Sequence, residues 1–417
     1  MIISICFAIL ICIACINYYI SRSMLHPSVV QSGLWAVQII GLIILKDRFI
    51  EPASEALFLT VIGSLMFSIG SHCSSNNLGG YGNIMTSRKI RTDNLSWWLI
   101  ALIIAICLYN QYRIFLELAG GEDFARGLVI VRTLMSIEND EVYGVYKYGY
   151  SIAVGALLLL QTFIIKNRPS FFYISMFVFY FFVALFTAIL STGRGNVSYI
   201  FVLLGLVYIL CGKKNQINRR LFKALGLVSL ITFLIFWVMG NLMGKAGDNA
   251  IDAISDILDY QFSPLLALSV YLESHPITIF GHEYGSNTFR FFISLLSFIG
   301  LHDKPPSLVQ EFVNVPQSTN VYTAYFNYIK DFGWLGVTVI SFLLGLLHGI
   351  LFRWSMRDKN NDFALYILAI SYMPLLYSLG GEAYFSLLSI WIQYFLIGIF
   401  LTQRNKKKSL IKLFGNE

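Results

Sequence analysis

The sequence predicts an all-α polytopic membrane protein, with about 11 transmembrane helices and a large extracytoplasmic loop that contains short amphipathic or re-entrant helices. Of its 417 residues, 57% are hydrophobic and only 13% are charged, whereas soluble proteins average about 25% charged residues. Apolar runs of about 20 residues recur along the chain, which is the length that a helix needs to cross a bilayer. Because the bilayer core offers no water to the backbone, such continuous runs are expected to be helices.

The apolar runs predict eleven spans in a single integral membrane domain over residues 1–417. The first run has no basic segment before it and no small-residue cleavage site, so it is interpreted as a retained helix rather than a signal peptide. The predicted spans are 2–20, 28–45, 56–72, 96–114, 148–165, 171–190, 197–211, 221–243, 334–353, 363–379 and 384–402.

Charge predicts which loops are cytoplasmic, because short cytoplasmic loops carry an excess of Lys and Arg. If the tail RNKKKSLIK is inside, most of the 30 basic residues also fall inside. The C-terminus is therefore predicted to be cytoplasmic. The net charge of +7 is explained by this asymmetry and does not indicate nucleic-acid binding.

This topology places two long loops outside, at about 115–147 and 244–333, and long ordered loops usually carry function. The second loop begins with DNAIDAISDILDYQF, which predicts an amphipathic helix whose acidic face, including Asp256 and Asp259, is solvated. The apolar segment after Arg290 is too short to span and is predicted to be re-entrant or interfacial.

Two further patterns lie at predicted outer span ends. The turn STGRGN, residues 191–196, places Arg194 between two glycines, although a turn needs no arginine. Before the ninth span, polar residues recur at helical spacing: Asn320, Thr323, Asn327 and Lys330 or Asp331. Such a stripe at the mouth of an apolar helix is costly unless it faces a wet cavity.

These patterns resemble the Wzy-type oligosaccharide repeat-unit polymerases, also called O-antigen polymerases. The resemblance depends on the general layout, on Ser191-Thr192-Gly193-Arg194-Gly195-Asn196, and on Thr319-Asn320-Val321-Tyr322-Thr323 followed by Asp331-Phe332-Gly333-Trp334-Leu335-Gly336. The related ligases often have a histidine before the asparagine. Thr319 stands at that position here, which favours a polymerase.

The resemblance implies a membrane glycosyltransferase in the inner membrane of a bacterium. Its donor would be a polyprenyl-diphosphate-linked oligosaccharide, typically carried on undecaprenyl diphosphate. Negative charge grows on the diphosphate as it leaves, and guanidinium groups bind two phosphate oxygens at once. Arg194 and Arg290 are therefore predicted to hold the diphosphate, and Glu283 or His282 to act as general base. The predicted substrate-binding residues are Asn320, Thr323, Asp331, Arg126 and Arg132.

Each assignment has a simpler structural alternative. Arg194 would extend towards lipid headgroups, His282 and Glu283 would be a solvated loop pair, and Asp331 a helix-start or turn residue. Arg126 and Arg132 would pair with Glu122 and Asp123. Glu382, in the turn SLGGEAYF, is expected either to line the same cavity as the candidate residues or to lie in a solvated turn.

The competing functions are an O-antigen ligase and a flippase or transporter for the lipid-linked unit. A flippase is expected to carry charges through the middle of several spans, whereas the predicted spans here are nearly free of charge at mid-depth and the candidate charged residues gather on the outer side. A non-catalytic membrane scaffold is the third alternative, and the clustered Arg, His, Glu and Asn residues of one loop argue against it. No cofactor and no metal site is predicted from the motifs. The expected partners are lipid-linked oligosaccharides, the bilayer, a chain-length regulator and a flippase, with lipopolysaccharide O-antigen or capsule as product.

Overall fold

A computed structural model describes residues 1–77, 87–135, 142–212, 217–242, 250–303, 306–307 and 310–404. Over these residues the structure is 75% helical, has eight candidate spans and contains no closed sheet, consistent with an all-α polytopic membrane protein. The tail 405–417 and the loop segments 136–141 and 243–249, which enter the predicted topology and loops, lie outside the described residues.

The helices are, in chain order, α1 Ile2–Ser21, α2 Pro27–Ile44, α3 Ser54–Asn77, α4 Asn94–Ala119, α5 Phe124–Thr133, α6 Gly149–Lys166, α7 Phe171–Leu190, α8 Arg194–Leu210, α9 Ile217–Leu242, α10 Ala250–Ser274, α11 Arg290–Phe298, α12 Tyr325–Arg357, α13 Asp362–Tyr377 and α14 Leu388–Phe400. In the part of the chain that the structure describes, four short strands form two antiparallel pairs. They are β1 Arg88–Ile90 with β4 Thr402–Arg404, and β2 Val313–Asn314 with β3 Ser318–Thr319.

Eight of the described helices are long and apolar enough to cross a membrane: α1 to α4, α6, α7, α9 and α12. Three further apolar helices, α8, α13 and α14, have 10–17 residues. Each predicted span coincides with one of these helices, so the helices themselves are confirmed. The number of crossings remains a prediction, because α14 has only 13 residues and about 20 are needed to span.

The structure corrects two local predictions in the second long loop. On the acidic face of α10, Asp259 is not solvated: it is only 7% exposed and receives hydrogen bonds from the Arg48 guanidinium at 2.8–3.0 Å. Asn320 and Thr323 do not lie on a helix, because α12 begins only at Tyr325. The hairpin of β2 and β3 occupies the chain just before them, and paired strands exclude helical geometry there.

The chain divides into two compact units. The first contains residues 1–82, 257–354 and 371–389. Its core holds Trp35 of α2, stacked on Tyr325 with 4.9 Å between ring centroids. Gly345 and Gly349 of α12 lie against backbone carbonyls of α3, so that no side chain fits between these two helices. Glycines four residues apart are a common way for membrane helices to pack closely.

The second unit contains residues 83–256, 355–370 and 390–417. In its core the Tyr180 hydroxyl of α7 donates to the Trp97 carbonyl of α4 at 2.7 Å. A separate apolar cluster holds α5 against the ends of α4 and α7 and consists of Phe115, Leu128, Val131, Tyr143 and Leu190. This cluster fixes the helix that carries Arg126 and Arg132.

A backbone break at Gly333 interrupts α12 (φ 62°, ψ −150°). At the break, the Trp334 and Leu335 amides donate to the Thr278 and Ile279 carbonyls at 3.2 and 3.3 Å. A Cβ on Gly333 would collide with the Thr278 carbonyl, and its φ is one that L residues rarely adopt. Glycine is therefore required at the point where the segment before α11 packs against the break in α12.

Candidate functional site

The STGRGN sequence forms the tight turn between α7 and α8. Ser191 ends α7, Thr192 is left-handed (φ 53°), and Gly193 is the extended N-cap that precedes Arg194. The Asn196 side-chain amide donates back to the Ser191 hydroxyl at 2.9 Å, and the Tyr150 hydroxyl donates to the Asn196 carbonyl at 2.8 Å. The turn is thus fixed on both sides, and it holds Arg194 at the first position of a helix.

The Arg194 side chain does not extend freely into solvent, since only 14% of it is exposed. Its Nη1 lies 3.5 Å from Asp256 Oδ2 on α10, within the same unit. A helix N-terminus with a guanidinium beside it favours negatively charged groups. Asp256 is a partner that the sequence does not reveal, because its helix face is predicted to be solvated.

Arg132 is brought near Arg194 by the packing of α5. It follows Val131, which is fully buried in the cluster that also includes Leu190, the residue before the STGRGN turn. Burial lowers the pKa of the Arg132 guanidinium, and the positive charge of Arg194 lowers it further by a smaller amount. The positive charges of the two guanidinium groups thus oppose each other, and a nearby anion would relieve that repulsion.

Arg126 lies on the same helix but has different surroundings. It is 72% exposed on its side chain and pairs with Glu122 at 3.1 Å and with Asp123 at 3.7 Å. This is the ion pairing that the simpler alternative predicted for both arginines, and it holds for Arg126. A substrate-binding role for Arg126 remains a prediction.

The first unit contains a second group of candidate residues, on the segment 281–290. Asp331 is 1% exposed and anchors this segment. Its Oδ1 accepts from the Asn287 backbone amide at 3.2 Å and from the Asn287 side chain at 2.9 Å, while Oδ2 accepts from the Thr288 amide at 2.6 Å. All of these donors come from one loop, so Asp331 holds the chain that leads to Arg290.

Glu283 and His282 are attached to the same part of α12, because both of their backbone amides donate to the Lys330 carbonyl. Their side chains differ. The Glu283 carboxylate is 3.2 Å from Lys330 Nζ and accepts from the Asn287 side chain at 2.7 Å. The His282 side chain is exposed. The structure thus positions the Glu283 carboxylate, whereas the His282 ring projects to the surface.

Arg290 is the first residue of α11 and is partly buried. Phe289 precedes it and packs against Phe385 at 5.2 Å and Phe332 at 5.9 Å between ring centroids. These contacts fix the start of α11. Arg290 belongs to the first unit and Arg194 to the second.

Asn320 and Thr323 lie between β3 and α12. Asn320 is partly buried, and Thr323 is 2% exposed. The Thr323 carbonyl accepts from the Phe326 amide at 3.0 Å, whereas its hydroxyl has no hydrogen-bond partner among the described residues. Thr323 therefore contributes to the start of the helix, and substrate binding by either residue remains a prediction.

Glu382 is a buried carboxylate whose environment the sequence analysis missed. It is 8% exposed, and it accepts from the backbone amides of Tyr384, Phe385 and Ser386 at 2.7–3.2 Å and from the Tyr328 hydroxyl at 3.3 Å. Burial raises its pKa, although these hydrogen bonds oppose the shift. The turn is thus not solvated. The two adjacent glycines at 380–381 were the sequence signal for a tight turn around this side chain.

Within the described ranges, no group of three or more His, Cys, Asp or Glu side chains is arranged to hold a metal ion. The candidate residues described above carry guanidinium, carboxylate and imidazole groups. These groups can bind anions and transfer protons.

Comparison with known proteins gives one informative likeness. The chain is 26% identical over 252 residues to an O-antigen polymerase from Shigella dysenteriae, and the match covers 57% of this chain and 58% of that protein. No family model and no solved structure matches significantly. Together with the eight candidate spans, this likeness supports a multi-pass bacterial membrane protein that is similar, over part of its length, to an O-antigen polymerase.

Proposed function

We propose that the chain polymerises polyprenyl-diphosphate-linked oligosaccharide repeat units into a surface polysaccharide, on the outer face of the cytoplasmic membrane. The observation that carries this proposal is Arg194, fixed at a helix N-terminus beside Arg132, in a membrane protein similar to an O-antigen polymerase. Both features favour a membrane-bound phosphate group as ligand.

In the proposed reaction, the growing glycan leaves its lipid diphosphate and joins the hydroxyl of a new lipid-linked unit. The bond between the anomeric carbon and the diphosphate oxygen breaks, and its electron pair remains on the diphosphate. The acceptor oxygen bonds to the anomeric carbon, and its proton passes to a base. Charge therefore accumulates on the leaving diphosphate, where positioned cations are most effective.

Arg194 and Arg132 take the role of holding this diphosphate. Asp256, 3.5 Å from Arg194, orients the guanidinium in the absence of substrate and competes with the anion for it. Arg290 is a second candidate for phosphate binding, and the proposal assigns it the same chemistry. Asn320, Thr323 and Arg126 are retained as candidates for contacts with the sugars.

The base is one of two residues on the segment 281–290. Glu283 has a positioned carboxylate beside Lys330, and His282 has an exposed imidazole. Removal of a general base typically lowers a rate about 100- to 10,000-fold. The Glu283→Gln and His282→Gln variants distinguish these two candidates for the general base. Only loss of the true base removes the limb of the pH–rate profile that reports deprotonation of the base.

The first test is a gene deletion in the native host, with surface polysaccharide resolved on a gel. Loss of a polymerase leaves single repeat units and abolishes the long ladder. Loss of a ligase leaves polymer on its lipid carrier, and loss of a flippase prevents any unit from reaching the surface. An unchanged ladder refutes the polymerase assignment.

The second test uses arginine variants at matched expression. Arg194→Ala is expected to lower polymerisation about 100-fold or more, as when a single oxyanion-binding donor is removed. Arg194→Lys is expected to rescue poorly, because lysine lacks the bidentate geometry. Arg132→Ala is expected to impair polymerisation. Arg113→Ala is the control that leaves it unchanged, because the exposed Arg113 side chain pairs only with Glu117 of its own helix among the contacts described. Full activity of Arg194→Ala removes the phosphate role.

The location and partners belong to the same proposal. The protein is assigned to the bacterial inner membrane with a cytoplasmic C-terminus, and reporter fusions to that terminus test the orientation. A flippase that supplies the lipid-linked unit and a regulator of chain length are the proposed partners. Crosslinking in native membranes tests both associations.

A further inference from the structure

The short helix α11 has its apolar face turned outward. Phe292, Leu295, Leu296 and Ile299 recur at the i, i+3, i+4, i+7 spacing of one helix face. These four side chains are 48%, 53%, 37% and 57% exposed. In a water-soluble protein such a face would be turned towards the core, so its exposure indicates an apolar environment outside the protein.

The opposite face of α11 is polar. Arg290, Ser294 and Ser297 share it, at the i, i+4, i+7 spacing. Arg290 and Ser297 are partly buried, and Ser294 is exposed. The helix therefore separates an apolar surface from a polar surface that carries a candidate phosphate-binding residue.

The exposed apolar surface continues onto a candidate membrane span of the same unit. The Ile279 carbonyl accepts from the Leu335 amide at 3.3 Å, so the segment before α11 is attached at the first turn of α12 after its break. Ile279, Phe280 and Leu335 are 68%, 67% and 45% exposed. This attachment fixes where, along the span, the apolar segment lies.

The lipid-facing side of α12 begins at that point. Leu335, Val339, Leu343 and Leu347 recur every four residues and are 45%, 43%, 53% and 46% exposed. Such a stripe on a span is the surface that faces acyl chains. The apolar segment 279–301 thus continues the exposed apolar stripe of α12 sideways from the end at Leu335.

We propose that residues 279–301 lie in the membrane–water interface, at the end of the α12 span that begins just after the break at Gly333. In this position the apolar face of α11 contacts lipid acyl chains. Nine residues of helix measure about 14 Å, which is too short to cross a hydrocarbon core of about 30 Å, so α11 lies along the surface. An exposed amphipathic helix continuous with a lipid-facing span fits a bilayer surface better than a second copy of the chain.

This position has a consequence for Arg290 that rests on the proposed function. An in-plane helix holds its polar face at headgroup depth, which is the depth of a lipid-linked diphosphate. Arg290 would therefore reach the phosphates of a lipid-borne donor from the interface, while the acyl chains anchor the helix. Membrane contact itself does not depend on that function.

The test measures lipid contact in the full chain, without substrate. The six native cysteines are replaced, and single cysteines at Leu295, Ile299 and Ser294 are labelled with nitroxide. The protein is reconstituted into vesicles of phosphatidylethanolamine and phosphatidylglycerol, and collisions with oxygen and with a water-soluble nickel chelate are compared. Leu295→Cys and Ile299→Cys are expected to favour oxygen several-fold over Ser294→Cys, with Leu343→Cys as the lipid-facing reference.

Three results overturn the proposal. Preferential collision of the Leu295 and Ile299 labels with the nickel chelate would show that these positions face water. Labels shielded from both reagents would show that a protein partner covers the helix. Labels as deep in the bilayer as that at Leu343 would show that the segment is inserted deeply. If the cysteine-free chain does not fold, Leu295→Trp and Ser294→Trp in the native background are compared in vesicles of brominated lipid. Greater quenching of Leu295→Trp, by bromines near the headgroup end of the chains, is the expected result, and equal quenching of the two overturns the proposal.

A functional arm distinguishes the two proposals. Leu295→Glu combined with Leu296→Glu is expected to abolish the lipid signal of the segment and to shorten the polysaccharide ladder. Loss of lipid contact with an unchanged ladder leaves the interface proposal standing and overturns the role of Arg290 at headgroup depth. Lipid contact of the wild-type segment in a chain without polymerase activity overturns only the proposed function.

Discussion

Replacement of Asp331 by Asn tests whether one buried carboxylate holds the segment that carries Glu283 and Arg290. Asp331 accepts three hydrogen bonds from Asn287 and Thr288 at 2.6–3.2 Å and is 1% exposed. Asn has nearly the same size but only one acceptor oxygen. If that oxygen faces Asn287, the side-chain amide meets the Thr288 amide, and two donors oppose each other.

The size of the effect follows from these contacts. A buried donor without a partner costs about 1–3 kcal/mol, and bonds to a charged acceptor are worth more than neutral ones. Asp331→Asn loses at least one such bond and the charge, so the segment is expected to lose about 2–3 kcal/mol of local stability. Since 1.4 kcal/mol is a factor of ten, its open population rises roughly 30-fold or more.

Hydrogen exchange measures this directly, through the backbone amides of Asn287 and Thr288. Both are expected to exchange roughly 30-fold faster or more in Asp331→Asn, while the helices of the second unit keep their protection. Asp303→Asn is the matched control, because Asp303 lies on an exposed part of the same long loop. Unchanged exchange at Asn287 and Thr288, or an equal change in the control, refutes the anchoring role.

Three further predictions follow from buried or strained groups. Asp256→Asn is expected to tighten the binding of inorganic pyrophosphate up to about fivefold in a competition assay, because a partly exposed ion pair contributes about 0.2–1 kcal/mol. Unchanged affinity would show that Asp256 does not compete for Arg194. Burial raises the pKa of Glu382, so that ionisation of this carboxyl opposes folding. The stability of the wild-type protein is therefore expected to fall as the pH rises above the normal carboxyl pKa of 4.5. Thermal unfolding of Glu382→Gln should lack this pH dependence, and identical pH profiles of the two proteins would contradict the assignment. Thr192→Gly is expected to raise the unfolding temperature, because glycine adopts the left-handed conformation at this position without the strain that threonine carries, a gain of up to about 1 kcal/mol. A lower unfolding temperature would show that the turn is not strained.

The sequence predicted the helices well because the signal for them is local. Every predicted span coincides with an apolar helix, since a continuous apolar run can satisfy its backbone in lipid only as a helix. It also located the turn of Arg194 and the short helix after Arg290. The likeness to an O-antigen polymerase agrees with the family that the motifs resembled.

The contacts between candidate residues came only from the tertiary structure. Arg126 and Arg132 are six positions apart on one helix, yet the packing of Val131 brings only Arg132 towards Arg194. Asp331 binds amides 43 and 44 positions away, and Asp256 lies 62 positions from Arg194. No local pattern records such pairs, because they depend on how helices pack.

The sequence by itself thus determined that this chain forms apolar helices and which polar residues lie between them. It also determined where these helices begin to within a few residues, except for α12, which begins nine residues before the predicted span. The tertiary structure decided which of those polar residues are buried, which pair, and which hold a loop in place. The physical reason is the range of the forces: backbone satisfaction and apolar periodicity act within a segment, whereas the burial of Asp331 and Glu382 depends on segments that are distant in the sequence.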